Sequence, residues 1–296
     1  MALFGVLNVM KPCGITSRDA VDRVERLVRP AKAGHAGTLD PLATGVLVIC
    51  VGQATRLIRF VHRMPKTYRA AFLLGRRSNT DDMEGEVHSV EVCPRPAREA
   101  LDRVLPQFVG EIQQRPPAHS AIKLAGRRAY QLARKGAEFD LAPRTVTVYR
   151  LDVRRYEYPE LELDIQCGSG TYVRALGRDI GAALGTAAVM SALERTAVGP
   201  FRVEQSVVLE DLSRETLDQH LQPALALLSD LPQIEVSDSQ FIEIGHGRPI
   251  PLPNGVECGA TDAKCTEWAA INADGRLVAI LAEKKAGQLR PVINFG

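Results

Sequence analysis

The sequence predicts an α+β fold, a mixed body of strands and helices followed by a small β module. Three observations carry this. Segments with strand periodicity, such as "ELELDIQC" at 160–167, stand beside amphipathic helical segments without the regular strand–helix alternation of a doubly wound sheet. The 296 residues are 45% hydrophobic, enough for one large core or for a large and a small one. From about Leu231 the texture changes to Pro- and Gly-rich sequence with short strands, which divides the chain into residues 1–230 and 231–296.

Element by element, "LFGVLNVMK" reads as a strand that runs into a Pro-Gly turn. Thr16 or Ser17 then caps a helix with Ala20, Val24, Leu27 and Val28 on one face, and Pro30 ends it. The loop "GHAGTLDPLATG" at 34–45 follows, with three glycines, one imidazole (His35) and one carboxylate (Asp40, before a proline). Two readings of Asp40 stand at this point: an Asp-Pro turn residue, or a carboxylate aimed at a substrate. "GVLVICVG" is a buried strand, and "KTYRAAFLLG" another, ended by the polar turn "RRSNTDDMEG".

Ala100, Leu101, Val104, Leu105 and Phe108 share the face of a helix over 98–108. Residues 115–143 break the pattern: an opening pair of prolines, six Lys or Arg, and a short basic helix around Arg127–Lys135 describe an excursion from the core. "RTVTVYRLDVRRYEY" and "ELELDIQC" return to strands, the latter with Leu161, Leu163, Ile165 and Cys167 to one side. "GSGTYVRALGRDIGAALG" turns on glycines into a helix packed through Val173, Leu176, Ile180 and Leu184. Two runs within 208–230 are helical in pattern.

Composition narrows the function. No stretch reaches the roughly 18 to 20 apolar residues of a membrane span. The apolar N-terminus lacks the preceding basic residues of a secretory signal, so a cytoplasmic protein is expected. The six cysteines, at 13, 50, 93, 167, 258 and 265, form no CxxC and read as reduced thiols. With six separated histidines, no metal site is expected. The formal charge of +2 hides asymmetry. Residues 11–69 hold 11 basic against 4 acidic side chains, residues 111–155 hold 10 against 4, and residues 156–232 hold 5 against 12. A basic face of this kind suits a phosphate backbone, or is ordinary solvated surface.

GxGxxG opening a helix, GxxxxGK[ST], HExxH and GxSxG are all missing from the sequence. What remains is Asp40 in its glycine loop, Tyr68, Arg174 after "GTY", and the basic arm. That set suggests cofactor-free chemistry on an anionic polymer, with a lone carboxylate as nucleophile or base.

"GHAGTLDPLATGVLVICVGQATRL" resembles the central motif of the bacterial tRNA pseudouridine-55 synthases, stand-alone enzymes that modify the T-arm. "VLNVMKPCGITS" is similar to their Lys-Pro segment, "KTYRAAFLLG" to their tyrosine strand, "PPAHSAIKLAGRRAYQLARKG" to their thumb insertion, and "GTYVRALGRDIGAALG" to their arginine motif. These motifs follow in order across residues 4–201, and the C-terminal stretch resembles, less specifically, a small RNA-binding domain of PUA type. The resemblance implies a mixed, largely antiparallel sheet flanked by helices, a thumb over about 115–143, and a PUA-like domain over 231–296.

It also implies an isomerase that flips a T-loop uridine out of tRNA and rejoins the base through C5, with no cofactor. Asp40, Tyr68 and Arg174 would be catalytic: Asp40 ionised, to attack C1′ or to abstract a sugar proton; Arg174 holding it charged; Tyr68 stacking on the base and aiding transfer of the C5 proton. Substrate binding would fall to His35 (in the place left by the flipped base), Lys11 (supporting the pocket), Tyr172, Leu193 (lining the uracil site), and Lys123 and Arg127 on the thumb. Asn79, Ser169, Val189 and Glu194 depart from the family pattern, and Glu194 puts a negative charge near the expected RNA surface. The implied enzyme is a cytoplasmic monomer that acts on tRNA without membrane or obligatory protein partner. The alternatives are a synthase of the guide-RNA-dependent kind or one with another RNA substrate, and a tRNA-binding or folding factor without catalysis.

Overall fold

Strand β1 (Gly5–Lys11) pairs antiparallel along its whole length with β3 (Thr44–Val51), and together they form one half of the main sheet. Helix α1 (Ser17–Val28) lies between them in sequence, followed by the short strand β2 (Ala33–Ala36) on β3. Thr16 caps α1 in a reciprocal box with Asp19, as the Thr-x-x-Asp spacing requires. Seven of the eight residues of β3 are buried because both faces are covered. Leu47, Ile49 and Val51 pack with Val21 and Val24 of α1 on one side. Val46, Val48 and Cys50 meet Phe60 and Val61 of α2 (Ile58–Arg63) on the other. Two-sided burial is why "GVLVICV" lacks alternation.

The second half holds β4 (Lys66–Leu74), β5 (Gly110–Gln114, after α3, Arg98–Val104), β6 (Arg144–Glu157) and β7 (Glu160–Cys167). It is completed by α4 (Val173–Ala183) and β8 (Ala188–Val198). The spatial order is Val207–Val208, β1, β3, β8, β4, β7, β6, β5, antiparallel except for β3–β8 and Val207–Val208 with β1. The sheet is therefore mixed and largely antiparallel, as expected. Its halves meet at only two residue pairs, Glu194↔Thr44 and Arg195↔Gly45. Gly45 has φ +101° and a Cβ there would overlap the Arg195 carbonyl, so this crossing requires glycine. Helix α4 covers the inner face of the second half, where a Cβ on Gly177 would come within 2.1 Å of the Phe72 ring.

A separate sheet follows: β9 (Gln233–Glu235), then after α5 (Asp238–Gly245) the strands β10 (Glu267–Ile271), β11 (Leu277–Lys285) and β12 (Gln288–Asn294), in order β9, β10, β11, β12, Ile250–Pro251. It packs on the α2 side of the main sheet: Ala269, Ile280 and Ile293 join the Phe60 cluster, and Glu267 pairs with Arg59 at 2.5 Å.

This computed structural model describes residues 3–92, 94–120, 141–253, 267–285 and 287–295, with the backbone of 123–124 and 127–128. Several expectations change. His35 lies on β2, not in a loop, since "AGHA" pairs with β3. Strand β8 and helices α2 and α5 had no counterpart in the sequence reading. The 208–230 runs are three short helical turns, at Leu209–Asp211, Leu217–His220 and Ala224–Leu228. Of the basic helix expected around Arg127–Lys135, residues 127–128 are strand, paired with 123–124, and residues 129–135 lie outside the described residues.

Candidate active site

The loop that carries Asp40 ends at the junction of the two half-sheets and is gripped on both sides of the carboxylate. Before it, Leu39 exchanges two hydrogen bonds with Ser17: its N–H donates to Oγ at 2.8 Å, and Oγ donates to its carbonyl at 3.1 Å. After it, the Pro41 carbonyl accepts from the Gly14 N–H at 2.8 Å and from Lys11 Nζ at 3.2 Å. Lys11 also donates to the carbonyls of Pro12 (2.8 Å) and Ile15 (2.7 Å), and its side chain is wholly buried. Burial pulls its pKa down to about 8. The Lys-Pro segment thus fastens the loop that presents Asp40 through main-chain contacts.

Helix α4 brings Arg174 to the carboxylate. Nε lies 2.9 Å from Oδ2 and Nη2 donates to Oδ1 at 3.1 Å. The arginine side chain is 6% exposed and that of Asp40 31%, so the acid keeps an open edge. The guanidinium has three further partners: the Thr80 carbonyl (2.8 Å), the His119 carbonyl (3.0 Å) and Asp82 Oδ2 (3.2 Å). Asp82 is 1% exposed and also accepts from Thr80 Oγ1 at 2.5 Å and the Glu84 N–H at 3.0 Å. Arg174 is shared between two acids. Burial raises the Asp40 carboxyl above the ordinary range, Arg174 opposes this, and Asp82 adds to it.

An apolar cluster adjoins the pair through Leu39 and Val173, the chain neighbours of Asp40 and Arg174. Leu39, Ala43, Tyr68, Leu193 and Ile165 belong to one packed cluster. Tyr68 stands on β4 opposite Ile165 on one side and Arg195 on the other, and burial raises its phenol pKa. Arg195 is 1% exposed, and its Nε donates to the Val46 carbonyl at 2.7 Å and its Nη2 to the Gly37 carbonyl at 3.0 Å. It ties the Asp40 loop and β3 to β8.

The remaining candidates fall around this centre. His35 is half-buried on β2, and burial with the nearby Arg195 lowers its pKa, so the ring is neutral. The Tyr172 backbone is clamped by the buried Gln114 amide, whose Oε1 accepts from its N–H at 2.8 Å and whose Nε2 donates to its carbonyl at 3.1 Å. The side chains of Lys123 and Arg127 lie outside the described residues. Glu194 is paired with Arg69 at 3.0 Å across the strands, which offsets its charge. Among the described residues, no cluster of three His, Cys, Asp or Glu could hold a metal. Asp82, Arg195 and Gln114 were missed by sequence reading. Asp82 sat in a stretch read as a polar turn, and nothing marked the other two.

A carboxylate held at both oxygens by a guanidinium, open on one edge and beside an apolar cluster, can act as nucleophile or base. Comparison with known proteins places the chain among relatives. A family model described as TruB family pseudouridylate synthase (N terminal domain) matches residues 25–173. One described as tRNA pseudouridylate synthase B C-terminal domain matches residues 174–229. The chain is 41% identical over 292 residues to the tRNA pseudouridine synthase B of Dechloromonas aromatica (strain RCB), covering 97% of this chain and 94% of that one. It is 42% identical over 301 residues to that of Arthrobacter sp. (strain FB24), covering 99% and 97%. A chain of a solved Cbf5–Nop10–Gar1 complex superposes with a TM-score of 0.73 at 27% identity, over 99% of this chain and 85% of that one.

Proposed function

The chain belongs to the TruB family of pseudouridylate synthases, and on that premise we propose that it isomerises uridine 55 in the T-loop of tRNA, with Asp40 as the essential carboxylate. The observation that carries this is the two-point contact of Arg174 with Asp40, next to the cluster that holds Tyr68 and Leu193. The reaction breaks the bond from C1′ to N1, turns the uracil, forms the bond from C1′ to C5, and moves the C5 proton away while N1 regains one. Its atoms balance without a cofactor.

In this reading the target uridine is extruded at a cost of a few kcal/mol, and the neutral His35 ring holds the place it leaves. Leu193 and Tyr68 sandwich the uracil apolarly. Asp40, ionised by Arg174, meets the ribose, as nucleophile at C1′ or as base at the sugar. The buried Tyr68 phenol, neutral throughout, assists transfer of the C5 proton. Lys11 sets the loop, Tyr172 shapes the wall beside Arg174, and Lys123 and Arg127 meet phosphates from the thumb over about 115–143. Residues 231–296 form a PUA-like module that adds contact to the tRNA. The enzyme works as a cytoplasmic monomer with no obligatory partner, and among the described residues no helix is long and apolar enough to cross a membrane.

Incubation with an unmodified tRNA transcript labelled with tritium at uridine C5, followed by chemical mapping, tests this directly. Release of one equivalent with the product at position 55 is expected. Product elsewhere keeps the chemistry and replaces the substrate. Tight binding without release overturns catalysis in favour of an RNA-folding role.

A further inference from the structure

One helical turn beyond Arg174, a second arginine on α4 meets the same two segments. Arg178 Nη1 lies 2.9 Å from Asp81 Oδ2, its Nη2 donates to the Arg115 carbonyl at 2.8 Å, and its Nε donates to its neighbour Asp179 at 2.9 Å. Asp81 stands between Thr80 and Asp82, the residues that supply Arg174 with a carbonyl and a carboxylate. Arg115 begins the stem that reaches His119, whose carbonyl is Arg174's other backbone partner. Arg178 therefore spans both segments that complete the coordination of Arg174.

The turn is tied to β8 by the Met190 N–H on the Asp81 carbonyl at 3.0 Å and the Met83 N–H on the Met190 carbonyl at 3.1 Å, and Arg178 adds the side-chain link from the turn to α4 and the stem. Asp81 has φ +61°, the only non-glycine residue in the left-handed region among the described residues, so its turn is strained. The stem at Arg115 leaves the sheet at Gln114 through two buried prolines. Both partners of the pair are shielded, with side-chain exposures of 30% and 16%.

We infer that Arg178 is a positioning residue for the isomerisation, acting through Arg174: with Asp81 it holds the 78–84 turn and the 115–119 stem at the spacing that keeps Arg174 locked on Asp40. The inference rests on the functional reading above. Without Arg178, Thr80, Asp82 and His119 drift relative to α4, and the guanidinium loses the partners that fix its plane. Asp179 gives no substitute, since it lies on the same helix as Arg178 and ties neither segment to it.

Single-turnover pseudouridine formation at saturating tRNA, measured with tRNA affinity and melting temperature, tests this. Arg178→Ala is expected to lower the single-turnover rate about tenfold or more, because misplacement of an ångström costs that much, while affinity changes by less than about threefold. Arg178→Lys, which keeps the charge opposite Asp81 but cannot span to the Arg115 carbonyl, recovers part of the rate. Asp81→Asn repeats the defect and serves if Arg178→Ala does not fold. A wild-type single-turnover rate in folded Arg178→Ala or Asp81→Asn overturns the inference, as does a loss that follows only the folded fraction. An active wild type with unaffected variants refutes this role alone; a wild type that forms no pseudouridine removes the functional reading and this inference with it.

Discussion

Arg174 and Arg195 are both buried arginines, at 5% and 1% exposure, on two sides of the same site, yet they are engaged in opposite ways. Arg174 faces two carboxylates and two carbonyls, and one of the acids opens to solvent. Arg195 donates to two main-chain carbonyls, Val46 and Gly37, which belong to the segments it joins, and its side chain also meets the neutral Tyr68 phenol. Lys11 follows the second pattern, with three carbonyls. A buried cation satisfied by backbone holds architecture, while one shared between acids sets the charge of a group that can react. The difference separates framework from chemistry within one cluster.

Substitutions can break that contrast. Arg174→Ala leaves Asp40 and Asp82 facing each other without a cation, and is expected to reduce turnover by about 10²–10³-fold, the equivalent of a broken buried pair. Tritium release against a modest change in melting temperature checks it. Arg195→Met should invert the balance, destabilising the fold by about 3 kcal/mol because two buried carbonyls lose their donor. Denaturant melts measure this, and the activity of the folded fraction should fall less than for Arg174→Ala. Gly45→Ala, forced into the left-handed region against the Arg195 carbonyl, should cost about 2 kcal/mol by the same melts.

The smallest effect sharpens the contrast through pH. Burial raises the Asp40 carboxyl and Asp82 adds to the shift. On the proposal that Asp40 reacts ionised, the rate should fall with decreasing pH at a higher pH than an ordinary aspartate would give. Asp82→Asn removes the neighbouring negative charge and releases Arg174 to Asp40, so the acid limb of the single-turnover profile should move to lower pH. A limb that stays in place would separate Asp82 from the titration of Asp40.

What was legible in the sequence follows the same division. Asp40 drew the eye as a lone carboxylate among three glycines and a proline, but the turn reading stood beside the chemical one until the family resemblance entered. Arg174 and Tyr68 stood out through family resemblance more than through any spacing. Strand β8 was invisible because "AVMSALERTAV" mixes Ala, Met, Leu, Glu and Arg, which favour helix, and only its place beside β4 makes it a strand. Arg195 hides there, since partners that are backbone carbonyls leave no trace in side-chain pattern. Asp82 and Asp81 sat in a stretch that composition reads as a polar turn, and their role depends on α4 arriving from almost a hundred residues away. Helix α5, by contrast, carried a readable start, since Ser237 and Gln240 form a capping box.

The central claim is that Asp40 reacts and is not a turn residue. Its most direct test is Asp40→Asn on a C5-tritiated tRNA transcript, with binding measured on the same preparation. A folded variant that binds tRNA as the wild type does and releases no tritium is the predicted result. Release at the wild-type rate would contradict the account and leave Asp40 as the opening of a turn.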